Sequence, residues 1–255
     1  MTLARDTQLG GASPGATWQR PGSAAWFLDH RQARLPLIDV QEDVIRRLFE
    51  RQCHPIERFL DLGAGDGALS RLMLASFPDA EAVLVDFSEP MLAGVERRLA
   101  GAGRWRIARA DLSAPEWRTA IPSGAYGAAV SSLAIHHLPA ERKRELYAEL
   151  FALLEAGAMF VNLDYVRVRG PLHGLWEEAL LENSLRLERE RGGTRTADEL
   201  GRNLFDDADE DRPDTVDDQL GWLRDAGFVD VEVHFKWAEA AIFGGTRPAR
   251  EERAR

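Results

Sequence analysis

The sequence lacks the residues that would build a disulfide, a common zinc site or a membrane anchor. Cys53 is its single cysteine, which excludes an intramolecular disulfide and is typical of a reducing cytosol. It has neither a cysteine pair nor a His-x-x-x-His pattern, so we expect no metal site. No apolar run reaches the roughly 18 residues of a membrane helix, and none has the form of a secretory signal. We therefore expect a cytoplasmic protein without membrane contact.

The sequence also lacks an excess of positive charge. Its 32 Lys and Arg residues stand against 42 Asp and Glu residues, which gives a net charge of −10. Binding to nucleic acid through its phosphates needs a basic face, so this balance argues against a nucleic-acid partner. The 255 residues, 45% of them hydrophobic, suffice for one α/β domain with an insertion or for two small domains. We expect a monomer or homodimer whose partner is a small molecule.

Among the features that are present, a glycine-rich turn is the most informative. A short apolar run ends at Asp61, and three glycines (Gly63, Gly65, Gly67) then alternate with small or acidic residues. Glycines there permit positive φ and close ligand approach, while the N–H groups of a following helix favour an anionic ligand. The dinucleotide fingerprint places its third glycine one position later and an acidic residue about 20 positions on, as Asp86 is here. The turn predicts a nucleotide-like cofactor and leaves its class open.

Short apolar segments alternate with segments of helical periodicity along most of the chain. Strands separated by helices of about ten or more residues are typical of a parallel sheet with right-handed crossovers. The last two strands are joined too tightly for a crossover, so we expect them to be antiparallel. The sequence thus predicts an α/β fold, in which the helix Glu89–Leu99 follows the second strand with Ser88 as its N-cap. The predicted strands are Arg58–Leu62, Ala82–Val85, Trp105–Ala108, Tyr126–Leu133, Met159–Val166, Val229–Trp237 and Ala240–Phe243.

The chain divides into a main domain and flanking segments. We expect residues 1–17, which have no periodicity, to be disordered, and residues 18–55 to form an N-terminal helical segment. The main domain spans residues 56–245. Residues 170–214 interrupt it as a helical insertion, whose acidic run from Asp206 to Asp214 we expect to be a solvated loop. Residues 246–255 form a charged, flexible tail.

Three carboxylates occupy equivalent places in the predicted topology. Asp61, Asp86 and Asp111 each lie where a predicted strand ends, at the sheet edge where open parallel sheets bind ligands. An ionised carboxylate only accepts hydrogen bonds, which suits the ammonium, ribose diol and exocyclic amine of S-adenosylmethionine. NAD would also use Asp86 for its ribose but gives less reason for the other two acids. The three together favour S-adenosylmethionine.

Motifs along the chain resemble those of the class I S-adenosylmethionine-dependent methyltransferases, specifically the group of small single-domain enzymes. The resemblance covers roughly residues 56–245 and rests on FLDLGAGDG (59–67), LVDFSEPML (84–92), ARADLS (108–113), SSLAIHHLP (131–139), LLEAGAMF (153–160) and LRDAGF (223–228). It implies a Rossmann-like, doubly wound seven-stranded sheet, mostly parallel with an antiparallel last strand. We expect residues 18–40 and the helical insertion, residues 170–214, to form a lid over the site.

The resemblance also implies where the cofactor binds. The methionine end would lie at Asp61 and the glycine turn, the ribose at Asp86, and the adenine beside Phe87, Met91 and Asp111. The implied cofactor-binding residues are Asp61, Gly63, Ala64, Gly65, Gly67, Asp86, Phe87, Met91, Asp111, Leu112 and Ser131.

Candidate catalytic and substrate-binding residues follow the fourth and fifth strands. His136 and His137 are candidate general bases, needed only if the acceptor must lose a proton, and a structural role for at least one of them stays open. Asp164 and Tyr165 end the fifth strand and either face the substrate or fix the lid. The remaining candidates, which begin the insertion or lie outside the alternation, are His173, Trp18, Trp26, Phe27 and Trp176. The aromatic residues either pack the N-terminal segment on the insertion or close over a small acceptor.

The sequence therefore predicts methyl transfer from S-adenosylmethionine to an oxygen, nitrogen or carbon nucleophile of a small molecule, by in-line displacement. Two alternatives stay open. One is a tRNA-modifying carboxymethyl- or methyltransferase, which the acidic charge disfavours. The other is a protein that binds the cofactor without catalysis. A nicotinamide dehydrogenase is a more distant alternative.

Overall fold

A mixed sheet of seven strands forms the centre of the protein. The computed structural model describes residues 16–29, 35, 37–52, 54–170, 174–205 and 211–249. The strands are β1 (Arg58–Leu62), β2 (Glu81–Asp86), β3 (Arg104–Arg109), β4 (Tyr126–Ser132), β5 (Leu154–Tyr165), β6 (Val229–Trp237) and β7 (Ala240–Thr246). Their spatial order is β3-β2-β1-β4-β5-β7-β6. Strands β1 to β5 are parallel, and β7 lies antiparallel between β5 and β6, so the predicted fold is confirmed.

Helices cover both faces of this sheet. They are α1 (Pro21–Asp29), α2 (Ile38–Arg51), α3 (Ala68–Ser76), α4 (Glu89–Leu92), α5 (Val95–Arg98), α6 (Ala140–Leu153), α7 (Leu175–Glu190), α8 (Ala197–Phe205) and α9 (Val216–Asp225). Because successive strand residues point to opposite faces, Leu60 packs in the core beneath α6 and α9, while Phe59 packs beneath α2 and α3. Within the described ranges, none of the helices is long and apolar enough to cross a membrane.

The N-terminal segment and the insertion pack at different places. The turn Ala16–Gln19 and α1 pack against α4, the short helix that follows β2. In the insertion, α7 and α8 pack on each other, and Leu180 and Leu204 contact Ala240 at the start of β7. Of the residues predicted to be disordered, 1–15 lie outside the described residues, and Thr17 is buried in the turn.

Of the element boundaries that differ from the prediction, two involve contacts between elements. The helix predicted to follow Ser88 is divided into α4 and α5 at Gly94. A Cβ on Gly94 would lie 2.9 Å from Asp66 Cβ, so the break brings this glycine against the turn that follows β1. At the C-terminus, β7 extends to Thr246, and the N–H of Arg247 donates to Ala158 O at 2.8 Å. The predicted tail therefore begins attached to the sheet.

The acidic run of the insertion is only partly a solvated loop. Residues 206–210 lie outside the described residues. Lys143 is fully buried and donates to Arg212 O at 2.5 Å and to Asp214 Oδ2 at 2.7 Å. A buried ammonium needs such partners because an isolated buried charge is costly. Asp214 therefore faces the protein interior, and the prediction of a wholly solvated loop is wrong.

Candidate active site

An open cleft lies at the carboxyl ends of β1, β2, β3 and β4. Parallel strands bring these ends to one edge of the sheet, which is where such folds bind ligands. Asp61 near the end of β1, Asp86 at the end of β2 and Asp111 after β3 all line the cleft. Its empty volume, which includes open solvent at the mouth, is about 1050 Å³. The fold thus brings the three predicted carboxylates to one place.

The turn after β1 requires its glycines. Gly63, Gly65 and Gly67 have φ angles of 65°, 55° and 82°, in the left-handed region that favours glycine. The N–H of Gly63 donates to Val85 O at 2.8 Å, which fastens the turn to β2. A Cβ on Gly63 would lie 2.1 Å from Ala134 Cβ. The segment after β1 therefore contacts the segment after β4 through a glycine.

Asp86 is joined to the glycine turn by hydrogen bonds. Its Oδ2 accepts from Gly65 N–H at 2.8 Å, and its Oδ1 accepts from Ser88 N–H at 2.8 Å. Burial raises the pKa of Asp86, and these two hydrogen bonds oppose the rise. Because each carboxylate oxygen has more than one lone pair, Asp86 can accept from further donors such as a diol. This geometry is compatible with the predicted ribose contact.

The other predicted cofactor residues mostly line the same cleft. Asp61 is nearly fully buried, and its Oδ2 accepts from Ser70 Oγ at 2.6 Å. Asp111 Oδ1 accepts from Ser113 N–H at 2.8 Å. These bonds orient both carboxylates. Also on the cleft wall are Gly63, Ala64, Gly65, Phe87, Met91 and Leu112.

Two of the predicted cofactor residues, Gly67 and Ser131, lie behind the cleft wall. Gly67 caps the start of α3. Ser131 is fully buried in β4, where its Oγ donates to Leu62 O at 2.9 Å and joins β4 to β1. From this strand and the segment after it, Ser132 and Leu133 line the cleft. The surface that β4 presents to the cleft thus begins one residue later than predicted.

Trp18 connects the two sides of the cleft. Its carbonyl accepts from Ser88 Oγ at 2.5 Å on the β2 side. Its ring meets that of His137, on the β4 side, edge to face with 5.8 Å between centroids. Gln19 Nε2 adds a bond to Phe87 O at 3.1 Å. These contacts hold the N-terminal turn over the cleft, which favours the lid alternative for Trp18.

The remaining residues predicted for the lid or the substrate are described only in part. Trp26 and Phe27 belong to α1 and Trp176 belongs to α7, but their side chains lie outside the described part of the structure. His173 lies outside it entirely. Tyr165 ends β5, and its ring centroid lies 5.1 Å from that of His136.

His136 and Asp164 form a buried pair beside the cleft. Nδ1 of His136 lies 2.5 Å from Asp164 Oδ1, and the N–H of His136 donates to Asp164 Oδ2 at 2.9 Å. Asn162 Nδ2 and the N–H of Tyr165 donate to the same carboxylate at 3.2 and 3.0 Å. Asp164 is fully buried. It therefore orients His136, and of the two predicted alternatives the geometry disfavours contact with the substrate.

Asp211 lies across from both histidines. Its Oδ1 is 3.3 Å from His136 Nε2 and 3.1 Å from His137 Nδ1. Burial alone would lower the pKa of His136, but the carboxylates of Asp164 and Asp211 outweigh it and raise the pKa to about 9. Burial and the adjacent charge of His136 lower the pKa of His137. At neutral pH His136 thus holds a proton and offers no lone pair to an acceptor, whereas His137 is neutral and lines the cleft.

Ser88, Asp66 and Asp211 are among the residues of this site that sequence reasoning missed. Ser88 was predicted only as a helix cap. This role is confirmed, because its Oγ accepts from Met91 N–H at 3.2 Å. Ser88 also lines the cleft. Asp66 lines the cleft and pairs with Arg98, and its place inside the glycine turn was a visible signal. Asp211 had no such signal, because it is far from the histidines along the chain.

Comparisons with known proteins agree with this geometry. The family described as "Methyltransferase domain" matches residues 59–157. A curated relative, the demethylmenaquinone methyltransferase of Clavibacter sepedonicus, is 29% identical over 245 residues, which cover 91% of this chain and 93% of the relative.

Solved structures share the fold. An O-methyltransferase family protein from Burkholderia thailandensis has a TM-score of 0.64 at 16% identity, over 89% of this chain. Human N-acetylserotonin methyltransferase, solved in complex with S-adenosylmethionine, has a TM-score of 0.60 at 15% identity, over 92% of this chain. The chain spans only 60% and 58% of the length of these two structures.

The chain contains a methyltransferase domain, within the fold of the class I S-adenosylmethionine-dependent methyltransferases. The cleft fits S-adenosylmethionine, the molecule bound in the solved human structure. A Cβ on Gly65 would lie 2.9 Å from Met91 Cε, so the glycine keeps the space beside Met91 open. Asp61, Asp86 and Asp111 supply acceptors for an ammonium, a ribose diol and an amine. In the methyltransferase these residues would hold the methionine, ribose and adenine parts.

Proposed function

We propose that this methyltransferase transfers a methyl group from S-adenosylmethionine to a small, largely apolar aromatic molecule. The observation that carries the proposal is the position of Trp18, which lines the cleft and contacts Ser88 on one side and His137 on the other. An indole offers a broad apolar surface to a planar acceptor and excludes water from the reacting atoms. The curated relative, whose name states that it acts on demethylmenaquinone, supports an acceptor of this kind.

The protein itself contributes by aligning the acceptor with the methyl group and by excluding water from the reacting atoms. The bound cofactor supplies an already activated methyl group, so holding the acceptor in line with it accounts for much of the catalysis. Leu133 and Leu138 line the cleft on the β4 side and supply apolar contacts there. Of the predicted catalytic pair, His137 lines the cleft, which supports a contact with the acceptor, and the ring of His136 packs against it at 4.0 Å between centroids. A general base is needed only if the acceptor must lose a proton.

A transfer assay with radiolabelled S-adenosylmethionine tests the acceptor class. The panel contains phenols and hydroxyquinones, aliphatic acids and amines of similar size, and unmodified tRNA. We expect label to accumulate in the aromatic compounds, and the Asp86→Asn variant, impaired in cofactor binding, to lose this transfer. Label that appears only in tRNA or only in aliphatic compounds would refute the proposal. The acidic net charge of −10 supports the small-molecule outcome.

A further inference from the structure

We propose that His136, His137 and Asp211 bind one divalent transition-metal ion. The three donor atoms, His136 Nε2, His137 Nδ1 and Asp211 Oδ1, all lie within 4.8 Å of one another. The carboxylate oxygen is 3.3 Å from the first nitrogen and 3.1 Å from the second. Donor atoms that bind one ion at about 2.0–2.2 Å lie about 3.0–3.5 Å apart at octahedral or tetrahedral angles. Both of these spacings fall within that range.

The imidazole of His137 gives an independent indication of a ligand. Its Nδ1 is buried and lies 3.1 Å from Asp211 Oδ1, an ion-pair contact, but it has the alignment of a hydrogen bond with no residue that the structure describes. Leaving a buried ring nitrogen without a hydrogen bond is costly. A metal ion between His137 Nδ1 and Asp211 Oδ1 would bind both atoms. Coordination to an ion does not require the straight N–H···O angle that a hydrogen bond between the two would need.

Asp164 provides the support that metal-binding histidines commonly have. Its Oδ1 lies 2.5 Å from Nδ1 of His136, so Nδ1 is the nitrogen that keeps its proton and Nε2 is the one that would bind an ion. Asn162 Nδ2 and the N–H of Tyr165 hold the same carboxylate. The ring of His136 is thus oriented before an ion arrives. A bound ion would take the place of the proton that otherwise lies between Nε2 and Asp211.

The donor set indicates the class of ion and what it would do. Two imidazole nitrogens and one carboxylate oxygen favour Zn²⁺, Co²⁺ or Fe²⁺ over Mg²⁺ and Ca²⁺, which prefer oxygen ligands. Three protein ligands leave coordination positions open, and His137 lines the cleft, so these positions would be available to a bound molecule. An acceptor oxygen bound there would be polarised and would lose its proton more readily. This last step rests on the proposed function, whereas the metal site does not.

Titration of the full-length, tag-free protein with Co²⁺ after chelator treatment tests the site. Visible absorption reports binding in the absence of cofactor and acceptor, so failure of the proposed acceptor leaves the result unaffected. We expect one Co²⁺ per chain, displaced by Zn²⁺. His137→Gln and Asp211→Asn should each weaken binding at least about ten-fold.

Two matched variants control for the loss of a histidine and of a charge. His54→Gln removes a histidine that pairs with Glu155 elsewhere on the protein, and Asp217→Asn removes an exposed carboxylate at the start of α9. Both should bind Co²⁺ like the wild type. Circular dichroism identifies variants that fail to fold. If Asp211→Asn fails to fold, the Co²⁺ affinity of His137→Gln tests the site instead. Absence of Co²⁺ binding to the wild type, or wild-type binding by a folded His137→Gln variant, would overturn the site.

Discussion

The backbone N–H of Gly65 donates to Asp86 Oδ2 at 2.8 Å, so the glycine turn after β1 and the carboxylate that ends β2 form one unit. The N–H of Ser88 holds the other carboxylate oxygen at the same distance of 2.8 Å. Two parts of the cofactor site that are distant in sequence are therefore held in position by the same hydrogen bonds. A change in either part should disturb the other.

Replacing Asp86 tests this unit directly. Asp86→Asn should weaken binding of S-adenosylhomocysteine by about 10- to 100-fold, because an amide nitrogen would face a backbone donor and the charge that accepts from the ribose is lost. Isothermal titration calorimetry measures the affinity. Asp79→Asn, which removes an exposed carboxylate just before β2, is the control and should bind like the wild type. An unchanged affinity in Asp86→Asn would exclude Asp86 from the cofactor site.

Cofactor binding should weaken as the pH falls below neutral. Burial raises the pKa of Asp86, so its carboxylate takes up a proton at a higher pH than an exposed aspartate does. The ribose hydroxyls donate to the ionised form, so protonation costs affinity. Because a raised carboxyl pKa means that the folded state binds the proton more tightly, this protonation does not itself favour unfolding. Calorimetry with S-adenosylhomocysteine should show the pH dependence in the wild type, and its persistence in Asp86→Asn would assign it to another group.

Two glycines with similar backbone angles should respond differently to alanine. Gly63 and Gly101 have φ angles of 65° and 74°, so both substitutions incur the cost of a left-handed alanine, about 1–2 kcal/mol. A Cβ on Gly63 would lie 2.1 Å from Ala134 Cβ, whereas nothing lies within 4 Å of one on Gly101. Overpacking should make Gly63→Ala less stable than Gly101→Ala by about a further 1–3 kcal/mol. Urea denaturation measures the loss of unfolding free energy in each variant. Equal losses would show that the structure relaxes around the contact with Ala134 at no cost.

The buried pair of His136 and Asp164 should matter more to stability than an exposed pair. Asp164→Asn should lower the free energy of unfolding by about 3–5 kcal/mol, because it leaves a buried group without its partner. Glu155→Gln, which removes the carboxylate beside partly exposed His54, should cost less than about 1 kcal/mol. Both pairs have an N–O distance of 2.5 Å, so they differ in burial and in the further hydrogen bonds that Asp164 accepts. Urea denaturation in the presence of a chelator measures both changes, and similar losses would contradict the argument.

Removing the ring of Trp18 tests its role as a lid over the acceptor. Trp18→Ala should raise the KM for the acceptor by about ten-fold, equivalent to about 1.4 kcal/mol of lost apolar contact. Trp18→Phe keeps an aromatic surface and should stay closer to the wild type. Steady-state kinetics measures the KM for the acceptor, and calorimetry with S-adenosylhomocysteine measures the affinity for the cofactor product. A loss of cofactor affinity as large as the change in KM would show that Trp18 covers the cofactor instead.

The fold could be predicted where its signals are local. Apolar runs and intervening helical periodicity located the strands, and Ser88 was recognised as a helix cap from its own residue type and position. The prediction failed where contacts between elements decide the outcome. The break at Gly94 depends on Asp66, and the inward position of Asp214 depends on the buried Lys143. Neither partner is adjacent in the sequence.

The sequence by itself determined the cofactor edge of the cleft. Glycine permits the positive φ angles of Gly63, Gly65 and Gly67, and carboxylates that end neighbouring parallel strands must meet at one edge. Only the tertiary structure decided what His136 and His137 do. The charge and the free lone pairs of an imidazole depend on its burial and on the carboxylates around it, and these come from β5 and from the end of the insertion. Spacing along the chain contains neither the burial nor those distances.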